Sequence, residues 1–247
     1  MRYFVQLSYN GKDYHGWQNQ PDAISVQEVI EKALTTILKE DIAVVGAGRT
    51  DTGVHALQMY AHFDTEVNFD EEDLVFKLNS FLPKDIAIYD IFKVRPDSHA
   101  RFDALSRTYR YRIALRKNAF NFENAYFFTI PLDVDKMNEA ANILFQYKDF
   151  QCFSKVNTDV KTYNCNIMEA TWSHENDELH FVVKADRFLR NMVRAIVGTM
   201  INIGIGKIEV SDLHDIIKSK NRSKAGYSVP AHALYLINIE YSEDITL

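Results

Sequence analysis

Polarity along this chain changes period in a set order, and the order occurs twice. Residues 2–9 alternate apolar and polar side chains around Tyr3, Phe4 and Val5, the pattern of a half-buried strand. Residues 26–38 switch to helical spacing, with Val26, Val29, Ile30, Ala33, Leu34, Ile37 and Leu38 on one face and Ser25 and Glu28 placed as a capping box. Strands at 42–45 and 57–63, a helix at 71–81 and a strand at 86–94 complete the set, with Pro83 closing the helix because proline disfavours helical backbone before it. The second half repeats the order: a strand at 108–115, a helix from Pro131 and Asp133 to about Tyr147, strands at 165–172 and 179–185, and an apolar helix at 188–203 stopped by Gly204 and Gly206. A short helix at 210–219 is an addition before the closing strand at 234–241. Two β-α-β-β-α-β runs predict an α+β fold of two similar split βαβ (ferredoxin- or RRM-like) halves, each a mostly antiparallel sheet backed by helices. Exposed sheet faces in such halves predict a cleft. The boundary is expected near residues 97–104, giving an N-terminal domain of residues 1–100 and a C-terminal domain of residues 101–247.

At 247 residues, 47% hydrophobic and 25% charged, the chain has the make-up of a soluble protein able to bury a real core. Its first residues lack the apolar run of an export signal, and no uncharged apolar stretch reaches membrane-spanning length, so the expectation is cytoplasmic with no membrane partner. Cys152 and Cys165 are too few for a disulfide framework and wrongly spaced for zinc, which predicts no metal. A net charge of −6 argues against nucleic acid until its distribution is considered. Acids gather at 64–73 and 133–139, whereas bases gather at 101–117, 184–194 and 218–224, so one face could be strongly positive.

Three constellations could carry chemistry. The stretch GAGRTDTGVHA at residues 46–56 joins two expected strands; Gly46, Gly48 and Gly53 allow it to turn, and it presents one carboxylate, Asp51, with Arg49 beside it. Such a pair is either a presented reactive group or a surface salt bridge. In SRTYRYRI at 106–113, alternation puts Tyr109 and Tyr111 on one face and Arg110 and Arg112 on the other, which suits base stacking or a core strand with a charged back. Arg187, Arg190 and Arg194 fall in one stripe of the expected apolar helix, poised to meet an anion or to reach water. An aromatic loop at 9–20, YNGKDYHGWQNQ, is either a stacking platform or a set of core rings pinning the loop. The histidines lack the company of metal ligands. Asp51-Thr52-Gly53 also spells the aspartic-protease tripeptide, but those enzymes need two carboxylates sharing a proton and this chain has the tripeptide once.

The four motifs occur together in a known family. GRTDTGVHA resembles the catalytic loop of the tRNA pseudouridine synthase A (TruA) family, YNGKDYHGWQNQ its N-terminal signature, SRTYRYRI its second motif, RNMVRAIVG its third, and residues 225–241 its C-terminal segment. The resemblance implies a pseudouridine synthase fold and isomerisation of uridine to pseudouridine at positions 38 to 40 of the tRNA anticodon arm. It implies Asp51 as catalytic nucleophile, Tyr109 stacked on the target uracil, Arg49 displacing the base and Arg194 paired with the catalytic carboxylate. It further implies no cofactor and a homodimer that cradles one tRNA. Thr52 stands where the family often has Ala, and Pro230-Ala231-His232-Ala233 stands where Glu-Gly is common before the leucine. A carboxylate could attack C1′, attack C6 or take a sugar proton, and the sequence leaves these open. A non-catalytic RNA-binding module is the competing reading.

Overall fold

The computed structural model describes residues 1–156 and 160–246. The chain divides into two compact units, the first Met1–Ser106 with Tyr235–Leu247 and the second Arg107–Leu234.

The first unit begins with β1 (Arg2–Tyr9) and α1 (Val26–Leu38), whose ends are those the sequence predicts. Ser25 starts the helix: its hydroxyl accepts the Glu28 amide at 3.1 Å, satisfying a donor that the first turn leaves open. Lys39 stops it in left-handed backbone at φ 57°. Val26, Ile30, Ala33 and Leu34 are wholly buried, and at about 1.5–3 kcal/mol for each large side chain this face holds the helix to the sheet. Next come β2 (Val44–Gly46), β3 (His55–Asp64), α2 (Glu71–Phe81) and β4 (Ile86–Lys93). Asp70 caps α2 through the Asp73 amide at 2.9 Å.

β1 pairs antiparallel with both β3 and β4, and β2 lies antiparallel on the far side of β3. The resulting order β4-β1-β3-β2 is that of a split βαβ fold. The register is set by core rings: Tyr3 lies opposite Phe63, and the two stack at 5.6 Å.

The second unit contains β5 (Ser106–Ala114), β6 (Tyr126–Phe127), α3 (Val134–Leu144), β7 (Ile167–Glu175), β8 (Glu178–Ala185), α4 (Met192–Gly204) and α5 (Asp212–Lys218). β8 lies antiparallel between β5 and β7. Trp172 on β7 stacks on Phe181 of β8 at 4.8 Å and points its indole N–H at Met200 Sδ of α4, 3.1 Å away. The closing strand β9 (Leu234–Glu240) runs parallel to β3 through Tyr235 and Leu236.

One expected element begins elsewhere. The helix read from residue 188 starts at Met192, because Asn191 takes left-handed backbone at φ 67° and Leu189 closes a separate turn on the Met192 amide. Arg187 and Arg190 therefore precede α4, and the arginine stripe does not exist as one helical face. Apolar spacing continued through the turn because Leu189 is buried like the helix residues that follow.

Candidate active site

The loop between β2 and β3 is held at Ala47, Thr50, Asp51, Gly53 and Val54. Ala47 donates to the Tyr60 carbonyl at 2.8 Å, and the Val54 amide donates to the Asp51 carbonyl at 3.1 Å, closing a turn around Gly53 at φ 78°. At the centre is Thr50. It is buried, its hydroxyl meets the Tyr9 hydroxyl at 2.9 Å, and its carbonyl accepts the Trp17 amide at 3.3 Å. Asp51 follows, half-buried, between this anchored residue and the exposed Thr52; Arg49 is exposed.

The aromatic loop at 9–20 is what does the holding. Trp17 and Tyr14 are 2% and 4% exposed, too little to stack on a ligand, so the rings pin the loop instead. Trp17 lies against Gly46, where an added Cβ would come within 2.4 Å of the indole. Gly16, at φ 87°, brings its backbone so near the Thr50 carbonyl that a Cβ would sit 2.3 Å from the oxygen. Tyr14 donates to Asp85 Oδ1 at 2.8 Å; burial, with that carboxylate, raises the pKa of its hydroxyl. Its carbonyl accepts the Gly53 amide at 3.4 Å. Gly11 donates to His55 Nδ1 at 3.1 Å, and His55 stacks on Tyr235 at 4.7 Å. Gly48 has neither the crowding of Gly46 nor the positive φ of Gly53: an added Cβ would meet nothing within 4 Å. The expectation that all three glycines serve the turn fails for Gly48.

In the second unit, Tyr109 and Tyr111 share a face of β5 but not an environment. Tyr111 is wholly buried and donates to the Pro230 carbonyl at 3.0 Å, with burial raising the pKa of its hydroxyl. Tyr109 is half-buried, edge-on to Phe188 at 5.1 Å and 85°. A stacking surface on this strand is thus reduced to Tyr109. On the other face Arg112 grips Glu178 with two bonds of 2.8 Å, and Asn121 and His180 bond the same carboxylate at 2.7 and 2.8 Å. Burial works to raise the Glu178 pKa, but Arg112 and His180 outweigh it and hold the carboxyl below its usual range. This buried polar knot went unread because Arg112 and Asn121 are distant in sequence from Glu178 and His180, and only the β5–β8 register makes Arg112 and His180 neighbours.

Arg194 lies in the first turns of α4, half-buried, with Nε donating to the Val229 carbonyl at 2.7 Å. Thus Arg49 and Asp51 lie on one loop of the first unit, and Tyr109 and Arg194 lie on β5 and α4 of the second. Among the described residues no group of three or more His, Cys, Asp or Glu could hold a metal ion, and no helix is long and apolar enough to cross a membrane.

The first unit is a split βαβ sheet whose β2–β3 loop carries Asp51, and comparison with known proteins gives the class of the chain. A family model described as tRNA pseudouridine synthase matches residues 7–103 and 140–242, more than half the chain. Asp51, Arg49 and Arg194 fall inside the matched segments, and Tyr109 falls between them. Proteins named tRNA pseudouridine synthase A match along almost their whole length. The one from Bacteroides fragilis is 54% identical over 246 residues, covering 99% of this chain and 98% of that one. Those from Parabacteroides distasonis and Porphyromonas gingivalis are 52% and 51% identical, covering 99% and 100% of this chain and 97% and 99% of theirs. The chain belongs to the tRNA pseudouridine synthase family, and its mixed α+β, mostly antiparallel architecture is that of the TruA-type members. It is an isomerase.

Proposed function

We propose that this enzyme converts uridine to pseudouridine at positions 38, 39 and 40 in the anticodon arm of tRNA, with Asp51 as the nucleophile. The observation that carries this reading is the way Asp51 is presented: a half-buried carboxylate directly after a threonine fixed through both side chain and carbonyl. Such anchoring pre-positions a nucleophile before substrate arrives. The reaction breaks the bond between C1′ and N1 and forms one between C1′ and C5; C5 gives up its proton and N1 gains one, so no electrons are exchanged with a cofactor. The base must leave its stack to be reached. Tyr109, the one partly open ring of β5, stacks on the uracil, Arg49 takes the space the base vacates, and Arg194 pairs with the catalytic carboxylate. The enzyme works as a homodimer in the cytoplasm and needs no metal or organic cofactor.

Release of tritium from tRNA labelled at uracil C5 follows the reaction directly. Asp51→Asn is expected to slow release by on the order of 1,000-fold or more with little change in thermal stability. A variant as fast as the parent would remove Asp51 from the chemistry. Mapping pseudouridine in tRNA treated with and without the enzyme tests the sites, and tRNA lacking modification at 38 to 40 would refute that assignment.

A further inference from the structure

The middle of α4, at Gly198, is pressed against the segment Gly226 to Val229 at a distance only glycine permits. A Cβ on Gly198 would lie 1.9 Å from the Tyr227 carbonyl oxygen, and one on Gly226 would lie 2.5 Å from the Gly198 carbonyl carbon. Backbone thus meets backbone. The contact is fixed from inside the helix by Thr199, which is wholly buried: its hydroxyl donates to the Ala195 carbonyl and accepts the Gly226 amide, both at 2.8 Å. From the other side Arg222 donates to the Gly226 carbonyl and to Ser228 Oγ, each at 2.9 Å. Asn191, in its left-handed turn before the helix, reaches the same Ser228 hydroxyl at 2.6 Å. The segment held in this way then bonds Arg194 twice: Val229 accepts from Arg194 Nε at 2.7 Å and donates to the Arg194 carbonyl at 3.3 Å.

Nε is the inner nitrogen of the guanidinium, so fixing it fixes the plane and direction of the fork beyond. We infer that Thr199 and the Gly226–Val229 segment are the positioning device for Arg194, aiming its guanidinium while taking no part in the chemistry themselves. The inference rests on the reading of Arg194 as partner of the catalytic carboxylate. A threonine inside an apolar helix has no need of a second hydrogen bond for its own stability, since the Ala195 carbonyl already satisfies its proton. Its acceptor role toward Gly226 is what valine, of nearly the same shape, lacks.

The test compares steady-state kinetics on tRNA for Thr199→Val, Thr199→Ser, Arg222→Ala and Arg194→Gln. Misaiming the guanidinium should lower kcat of Thr199→Val by about 10- to 100-fold with KM for tRNA nearly unchanged. Thr199→Ser, which keeps the acceptor, should restore kcat to within about twofold, and Arg222→Ala should lower kcat in the same direction by less. If Thr199→Val does not fold, Arg222→Ala decides the matter, since its side chain is only half-buried. A folded Thr199→Val with parental kcat, or a change confined to KM, overturns the positioning role while leaving Arg194 in place if Arg194→Gln is slow. Parental kinetics in Arg194→Gln would overturn both the reading of Arg194 and the device that aims it.

Discussion

Asp51 and Arg194 are held by opposite means. In the first unit the carboxylate rides on a loop and is fixed indirectly, through its neighbour Thr50: the Tyr9 hydroxyl meets the Thr50 hydroxyl and the Trp17 backbone amide donates to the Thr50 carbonyl, with the Trp17 ring against Gly46. In the second unit the arginine rides on a helix whose interior face is wholly packed, and what fixes its fork is backbone reaching side chain, the Val229 carbonyl on Nε. A loop needs a buttress because its own hydrogen bonds do not define it; a helix needs only a partner to orient the end of a long side chain. Damage to the buttress should therefore cost both stability and rate in the first unit, and the two should separate in the second.

Two tryptophans give the largest test. Trp17→Ala and Trp172→Ala each remove a buried indole and should each lower unfolding free energy by about 3–5 kcal/mol. Well below both transitions, Trp17→Ala should also lower kcat by on the order of 100-fold, because Tyr9, whose hydroxyl holds Thr50, loses the ring beside it, Gly46 loses its cover, and Asp51 moves with Thr50. Trp172, packed on Phe181 and Met200, should leave kcat within about twofold. Equal loss of rate in the two variants would mean that activity follows global stability and not the buttress.

Acid should separate the units next. His62 in the first unit is buried and accepts the Ala100 amide at Nδ1, 3.1 Å away. Burial, with Arg2 and His99 nearby, pushes its pKa from 6.5 down to about 4. The unfolded chain therefore binds a proton that the folded one refuses, so stability is complete above pH 6.5 and falls between there and pH 4, by on the order of 3 kcal/mol. Glu178 in the second unit is a carboxylate held below its ordinary 4.5, so its contribution persists above that value and is lost only at lower pH. Hydrogen exchange near pH 5 should show weakened protection around His62 and intact protection along β5 and β8. His62→Asn, which keeps an acceptor, should flatten the loss; an unchanged slope would assign the acid sensitivity to other groups.

What could be read in the sequence follows the range of the forces involved. β1, α1 and α2 have the ends expected from residues 2–9, 26–38 and 71–81, because alternation, the Ser25 cap and Pro83 are local signals. The onset of α4 was displaced because a left-handed asparagine inside a buried apolar run leaves no mark in the spacing. In the site, Asp51 stood out by its glycine-flanked loop. The role of Trp17 stayed open until the backbone brought it onto Gly46, and the Glu178 knot depended on strand register. Tyr109 and Tyr111 read alike by parity; full burial and the Pro230 carbonyl set Tyr111 apart.

Gly16→Ala probes the buttress with a single carbon. Left-handed backbone and a Cβ 2.3 Å from the Thr50 carbonyl should together cost about 1–3 kcal/mol. The backbone must move at the residue before Asp51, so kcat should fall by on the order of 10- to 100-fold while KM holds. A stable variant with parental kcat would show that the loop tolerates displacement of Thr50, and the contrast between the units would weaken.

The smallest effect is expected two residues from Gly46, inside the same motif. Gly46 has no room for a side chain because Trp17 covers it, whereas Gly48 has open space and no left-handed backbone. Gly48→Ala should leave the free enzyme unchanged or stabilise it by about 0.4–1 kcal/mol, since alanine restricts the unfolded chain and meets nothing in the folded one. Thermal unfolding measures this half of the prediction. If the open space above Gly48 is where RNA backbone approaches Asp51, the same variant should raise KM for tRNA with kcat little changed, the reverse of Gly16→Ala. One glycine of the motif would then serve the fold and its neighbour the substrate. Destabilisation by Gly48→Ala would instead place both in the buttress.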